Sequence, residues 1–131
     1  MEKIVENKPN RIIWHHSAVT SQGYQFANIN EAHRQRGFPV SSFGFYVGYH
    51  YLIEKDGRLM KARLETEIGA HDKDENFGSI GICLAGNFSV AKPTEEQAET
   101  AAILTDELLK RWNIPIERVE PPRWGDTTEC P

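Results

Sequence analysis

Ser79-Ile80-Gly81-Ile82-Cys83-Leu84-Ala85 is the stretch on which the fold turns. It is apolar at consecutive positions, not at alternate ones. A strand covered on one face alternates apolar and polar residues, whereas a strand covered on both faces is apolar throughout. Residues 79–85 therefore read as the central strand of a sheet with layers on both sides. Within it, Cys83 reads as a buried thiol acting as a small hydrophobe.

Working outward, Gly69 to Gly78 is a polar loop bounded by glycine. Before it, Tyr49 to Glu54 reads as a strand, Lys55-Asp56-Gly57-Arg58 as the Asp-Gly turn of a hairpin, and Leu59 to Ala62 as the returning strand. Further upstream, Arg11 to His15 is a short buried strand, followed by a polar loop over Ser17 to Tyr24. Asn28 to Arg36 carries helix formers, and Gly37 stops the helix. Phe38 to Gly48 reads as an ordered surface loop, because Phe38, Phe43, Phe45 and Tyr46 need something to pack on. Downstream, Thr94-Glu95-Glu96-Gln97 is a capping box. The helix it opens carries an apolar stripe through Ala101, Leu104, Leu108 and Trp112, and Ile114-Pro115 ends it. Arg118 to Glu120 reads as one more short strand. The result is an α/β protein, a single domain with a central mixed β-sheet flanked by helices.

The bulk properties agree. The chain has 131 residues, 39% hydrophobic and 26% charged, which suits one globular domain over residues 1–131. Its net charge of −4 argues against nucleic acid as the main partner. Its apolar runs are too short to span a bilayer. Met1 to Arg11 is mixed in charge and lacks the apolar core of a signal peptide, so a product cytoplasmic as made is expected; a monomer is expected as well.

Chemistry concentrates on histidine. His15 closes the first strand, His50 lies in the second, and His71 lies in the glycine-bounded loop before the central strand. Strand ends of an α/β sheet converge on sites. His33, on a helix, reads as a solvated side chain. Cys130 lies in a polar loop, and a thiolate beside imidazoles is a zinc-binding set. Strand alternation puts Tyr49 and Tyr51 on one face and His50 on the other, so Tyr49 and His50 are not expected to serve the same atom.

Five blocks then carry a resemblance. They are Ile13-Trp14-His15-His16-Ser17-Ala18; Val47 to Ile53 with Asp56-Gly57; Gly69-Ala70-His71; Asn76 with Ser79 to Gly86; and Thr128-Glu129-Cys130-Pro131. In this order they resemble the type-2 N-acetylmuramoyl-L-alanine amidases, a group that includes phage lysozymes of the amidase kind (endolysins) and the peptidoglycan recognition proteins. The resemblance runs from about Arg11 to the last residue. It implies an amidase-like, peptidoglycan-recognition-like fold with His15 as the first zinc ligand and Cys130 as the last. It implies that Tyr49 is the catalytic tyrosine, that Thr128 steadies the developing oxyanion, and that His71 lines the groove for the peptide stem of a muropeptide.

Two departures from the family pattern stand out. The family carries a second histidine ligand eight positions before the cysteine, where this chain has Pro122. Proline offers no donor to a metal; His16 and Asp126 are nearby groups that could stand in. The chain also stops at Cys130-Pro131, before the further helix usual in the family. The resemblance thus implies zinc-dependent hydrolysis of the bond between N-acetylmuramic acid and L-alanine in bacterial cell wall. The alternative is a non-catalytic peptidoglycan-binding module with an incomplete zinc site.

Overall fold

The structure, a computed structural model, describes residues 5–120. The five strands among these residues are β1 (Arg11–His16), β2 (Tyr51–Ile53), β3 (Leu59–Lys61), β4 (Ser79–Leu84) and β5 (Val119–Glu120). They form one mixed sheet in the order β3-β2-β4-β1-β5. The apolar run is its centre: all six residues of β4 are buried. β1 and β2 flank it in parallel, with Ile13 opposite Gly81, His15 opposite Cys83 and Tyr51 opposite Ile82. β3 pairs antiparallel with β2 through the Asp-Gly turn, where Gly57 has φ of +88°.

Helix α1 (Phe26–Gln35) and helix α2 (Glu95–Arg111) cover opposite faces. The α2 face packs Ile12, Ile53, Ile80, Ile82 and Leu84 against Ala101, Leu104 and Leu108. The other face packs Ile29 of α1 with Val47, Tyr49, Leu52 and Cys83. A strand with a packed layer on each side is apolar at every position, which is why β4 shows no alternation.

Both helices begin where a side chain satisfies their first N–H groups. On α2 the capping box is formed: Thr94 Oγ1 accepts from Gln97 N at 3.0 Å, and Gln97 Oε1 accepts from Thr94 N at 3.1 Å. α1 starts two residues earlier than the sequence reading. Its cap is the carboxylate of Glu54, just beyond β2, which accepts from Gln25 N at 2.9 Å and Phe26 N at 3.0 Å. A negative charge at a helix N-terminus is favourable both as an acceptor and against the helix dipole. Gly37 ends α1 with φ of +80°, and Phe38 N donates back to His33 O, closing the turn as expected.

The reading of Tyr49 and Tyr51 as neighbours on one face is overturned. β2 begins only at Tyr51, and residues 48–50 form a bend. Tyr51 accordingly joins the α2 face, while Tyr49 joins the α1 face. Alternation holds only within extended backbone, and the bend breaks it.

Beyond the sheet, Glu65 ties the end of α2 to the loop after β3. Its carboxylate accepts hydrogen bonds from Tyr51 Oη, from Arg111 at 2.5 Å and from Trp112 Nε1 at 2.6 Å. Burial raises the Glu65 pKa, but these donors outweigh it and hold the pKa below the usual carboxylate value.

Candidate functional site

On the α1 face, β1 carries His15 at the carboxyl end of the sheet, opposite Cys83. There its Nε2 lies 2.8 Å from Nδ1 of His71. The two rings meet nearly edge to face, at 4.9 Å and 79°. Tyr49 packs beside them with its ring centroid 5.3 Å from that of His15. The sequence reading that His15, His50 and His71 converge is met: His50 lies 5.8 Å from His71, centroid to centroid.

Each ring is held by a local device. The loop carrying His71 is folded by Asn76, whose Oδ1 accepts from His71 N at 2.8 Å and Asp72 N at 2.9 Å. The His71 ring lies directly over Gly81 of β4. A Cβ at Gly81 would stand 2.6 Å from its Cγ, so the central strand needs glycine there. Ser79 Oγ lies 3.1 Å from His71 Nε2. Burial pushes the His71 pKa well below the usual imidazole value, and the nearby His15, His50, Arg11 and Arg63 push it further.

His50 is committed to the backbone. Its Nδ1 accepts from Gly81 N at 3.0 Å, so Nε2 carries the proton and donates to Glu67 O at 2.6 Å. Burial lowers its pKa to about 4, against the opposing pull of the Glu67 carbonyl.

The reading of His33 as a solvated residue is corrected. Its ring is buried, packs on Phe38 and Tyr49 at 4.6 and 5.6 Å, and accepts from Gly48 N at 2.9 Å through Nδ1. Burial lowers its pKa to about 4, helped by Arg36 and Arg63. His16 is on the opposite face, accepting from Phe88 N at 3.0 Å, so it does not stand in beside His15.

A cavity of about 160 Å³ opens between α1 and this cluster, lined in part by Ser17, Asn28, His33, Arg36 and Tyr49. A larger one, about 370 Å³, lies on the far side near Lys55, Asn87 and Phe88 and holds none of the histidines. Thr128 and Cys130 lie outside the described residues, as do Pro122 and Asp126. Among the described residues no group of three or more His, Cys, Asp or Glu side chains is arranged to hold a metal. The donor chemistry still suits zinc: two imidazoles whose ring nitrogens lie 2.8 Å apart are of the type that supplies its nitrogen ligands.

The sequence profile described as N-acetylmuramoyl-L-alanine amidase matches residues 5–131. The chain belongs to this family. Among curated proteins, the endolysin of Escherichia phage T7 is 36% identical over 76 residues, covering 56% of this chain and 46% of that protein. Peptidoglycan-recognition protein SC2 of Drosophila melanogaster is 29% identical over 119 residues, covering 89% of this chain and 65% of that protein. The match to the phage endolysin thus spans about half of that protein's length. Among solved structures, the N-acetylmuramoyl-L-alanine amidase LysC from Clostridium intestinale URNW superposes with a TM-score of 0.77 at 31% identity, over 95% of this chain and 77% of that one. The amidase-like fold expected from the resemblance is therefore present.

Sequence reasoning missed three contributors to the site: His33, Ser79 and Gly81. The one signal available was Gly81 inside an otherwise bulky strand, since glycine in a strand interior often marks a close approach.

Proposed function

We propose that this protein is a zinc-dependent amidase that cuts the bond between N-acetylmuramic acid and L-alanine in bacterial peptidoglycan. The observation that carries the reading is the grouping of His15, His71 and Tyr49 on one sheet face beside the α1 cavity. Zinc, when bound, supplies a water of lowered pKa and polarises the amide carbonyl. His15 and Cys130 would hold it. The α1 cavity, bordered by Tyr49, takes the muropeptide, and His71 would line the groove for its peptide stem. Tyr49 presents a phenol to the same space and would donate toward the carbonyl oxygen of the scissile amide as charge develops there. Thr128 would add a second hydroxyl to that oxygen. The protein would act as a monomer, made in the cytoplasm and reaching the wall after release. No helix among the described residues is long and apolar enough to cross a membrane.

A second reading, a peptidoglycan-binding module without catalysis, is favoured by Pro122 and by the kinship with a recognition protein. One experiment separates the two. Purified cell wall is incubated with zinc-loaded and chelator-treated protein, and new L-alanine amino termini are counted against new reducing ends. Zinc-dependent amino termini without reducing ends support the amidase. Sedimentation with the wall but no new termini supports the module.

A further inference from the structure

We infer that His71 is itself a metal ligand in this chain, forming with His15 the imidazole pair of the zinc site in place of a histidine at position 122. This rests on the proposed reading of His15 as a ligand.

The tautomer of His71 can be read from its neighbours. The Ser79 hydroxyl has one proton and lies 2.7 Å from Glu75 O and 3.0 Å from Asn76 O, both acceptors only. Its proton goes to these carbonyls, so at 3.1 Å it must accept from His71 Nε2–H. That leaves Nδ1 of His71 without a proton, its lone pair facing His15 Nε2 at 2.8 Å. A ring that gives its far N–H to an oxygen and presents the other nitrogen as a lone pair is oriented as metal-binding histidines are.

The 2.8 Å between the two nitrogens is a hydrogen-bond distance, bridged by one proton. With the His15 proton on Nε2 the pair is a simple hydrogen bond. With that proton on Nδ1 instead, two lone pairs converge and a cation takes the proton's place, with no net proton released from either ring. Tetrahedral zinc holding both nitrogens at about 2.0–2.1 Å sets them about 3.3 Å apart, so the rings need to part by only about 0.5 Å.

The remaining histidines are otherwise engaged. His50 uses both nitrogens on backbone groups, His33 uses Nδ1 on Gly48 N, and His16 faces the other side of the sheet. His15 and His71 come from positions 56 apart and are the pair whose ring nitrogens meet. Pro122 offers nothing to a metal, so a second nitrogen ligand has to come from elsewhere, and His71 is already in place.

The test uses the full chain, labelled with ¹⁵N and loaded with ¹¹³Cd in place of zinc. Imidazole spectra should show cadmium splitting on Nε2 of His15 and on Nδ1 of His71. Splitting on His15 alone, or no bound cadmium, overturns the inference. In parallel, His71→Gln should weaken zinc affinity by about 100-fold or more, whereas Ser79→Ala, which removes the orienting acceptor of His71 together with its bonds to Glu75 O and Asn76 O, should weaken it by about 10-fold. Equal zinc affinity in His71→Gln and the parent, with the variant's circular dichroism unchanged, also overturns it. Peptide release is read separately. A chain that cuts cell wall while binding cadmium without His71 sinks this inference and leaves the amidase reading standing. Splitting on both rings without peptide release sinks the amidase reading and leaves the ligand pair.

Discussion

Acid should destabilise this protein at pH values where most of its carboxylates are still ionised. The perturbation is a fall in pH from 7 to 4.5 in protein stripped of divalent metal. His50 is buried, and its pKa in the folded protein is about 4, below the usual 6.5. Protonating Nδ1 would also remove the acceptor for Gly81 N–H. The sign follows from proton uptake: the unfolded chain binds a proton as pH falls through 6.5, and the folded chain does not until about 4. Stability is therefore unaffected above 6.5 and lost between 6.5 and about 4. At about 1.4 kcal/mol per unit, His50 costs roughly 2.5 kcal/mol by pH 4.5. His33 is shifted in the same direction but borders the α1 cavity, so water screens it and about 1 kcal/mol is a fair share. The total of roughly 3–4 kcal/mol is a large part of the 5–15 kcal/mol typical of a domain. Groups facing these rings include Arg36, Arg63, Glu65 and Glu67. Glu65 and Glu67 have lowered pKa values, so the stability they give is lost only as pH falls through those values, below this window. The assay is urea unfolding followed by circular dichroism at pH 7, 6, 5 and 4.5, where the midpoint should fall by about 2 M overall. A midpoint that stays within about 0.3 M between pH 7 and pH 5 would refute the claim that these histidines are held neutral.

Three further outcomes can be checked. In Gly81→Ala the new methyl must push the His71 ring back by about 0.8 Å to reach ordinary contact, costing about 1–3 kcal/mol; a thermal melt and the His71 imidazole shifts should both move, and an unchanged pair would show that the ring has room to spare. Thr94→Ala removes the capping box and a 2.5 Å bond to Lys55 O, so the melting temperature should drop by about 3–6 °C with no change in zinc affinity. Tyr49→Phe should change stability by less than about 1 kcal/mol while peptide release falls at least about tenfold; full activity would reduce Tyr49 to a packing role.

The local grammar of the chain carried most of the fold. The unbroken apolar run of β4, the Asp-Gly turn, the Thr94 capping box and the Gly37 stop each act within a few residues of themselves, and each forms as expected. What escaped notice depends on partners distant in sequence. α1 begins at Phe26 because a carboxylate beyond β2 caps it. His33 is buried because Gly48 N needs an acceptor. Tyr49 and Tyr51 part company because a bend precedes the strand. The site followed the same division. Residue type and resemblance singled out His15, His71 and Tyr49, but only tertiary structure showed that a ring nitrogen of His71 lies 2.8 Å from one of His15.

The parallel centre of the sheet governs when the site can exist. Parallel neighbours cannot be joined by a tight turn, and here β1 must wait for β4: Ser17 and Gly86, bonded at 2.9 Å, are 69 positions apart. Closing so long a stretch costs chain entropy before its contacts give anything back, which places such pairings late and makes them slow. A growing polypeptide that has produced β1, α1 and the β2–β3 hairpin already contains His15 and Tyr49, yet has no strand on which to lay the His71 ring. The meeting of the two imidazoles thus waits on β4, and a chain interrupted before residue 79 has no central strand on which to seat it.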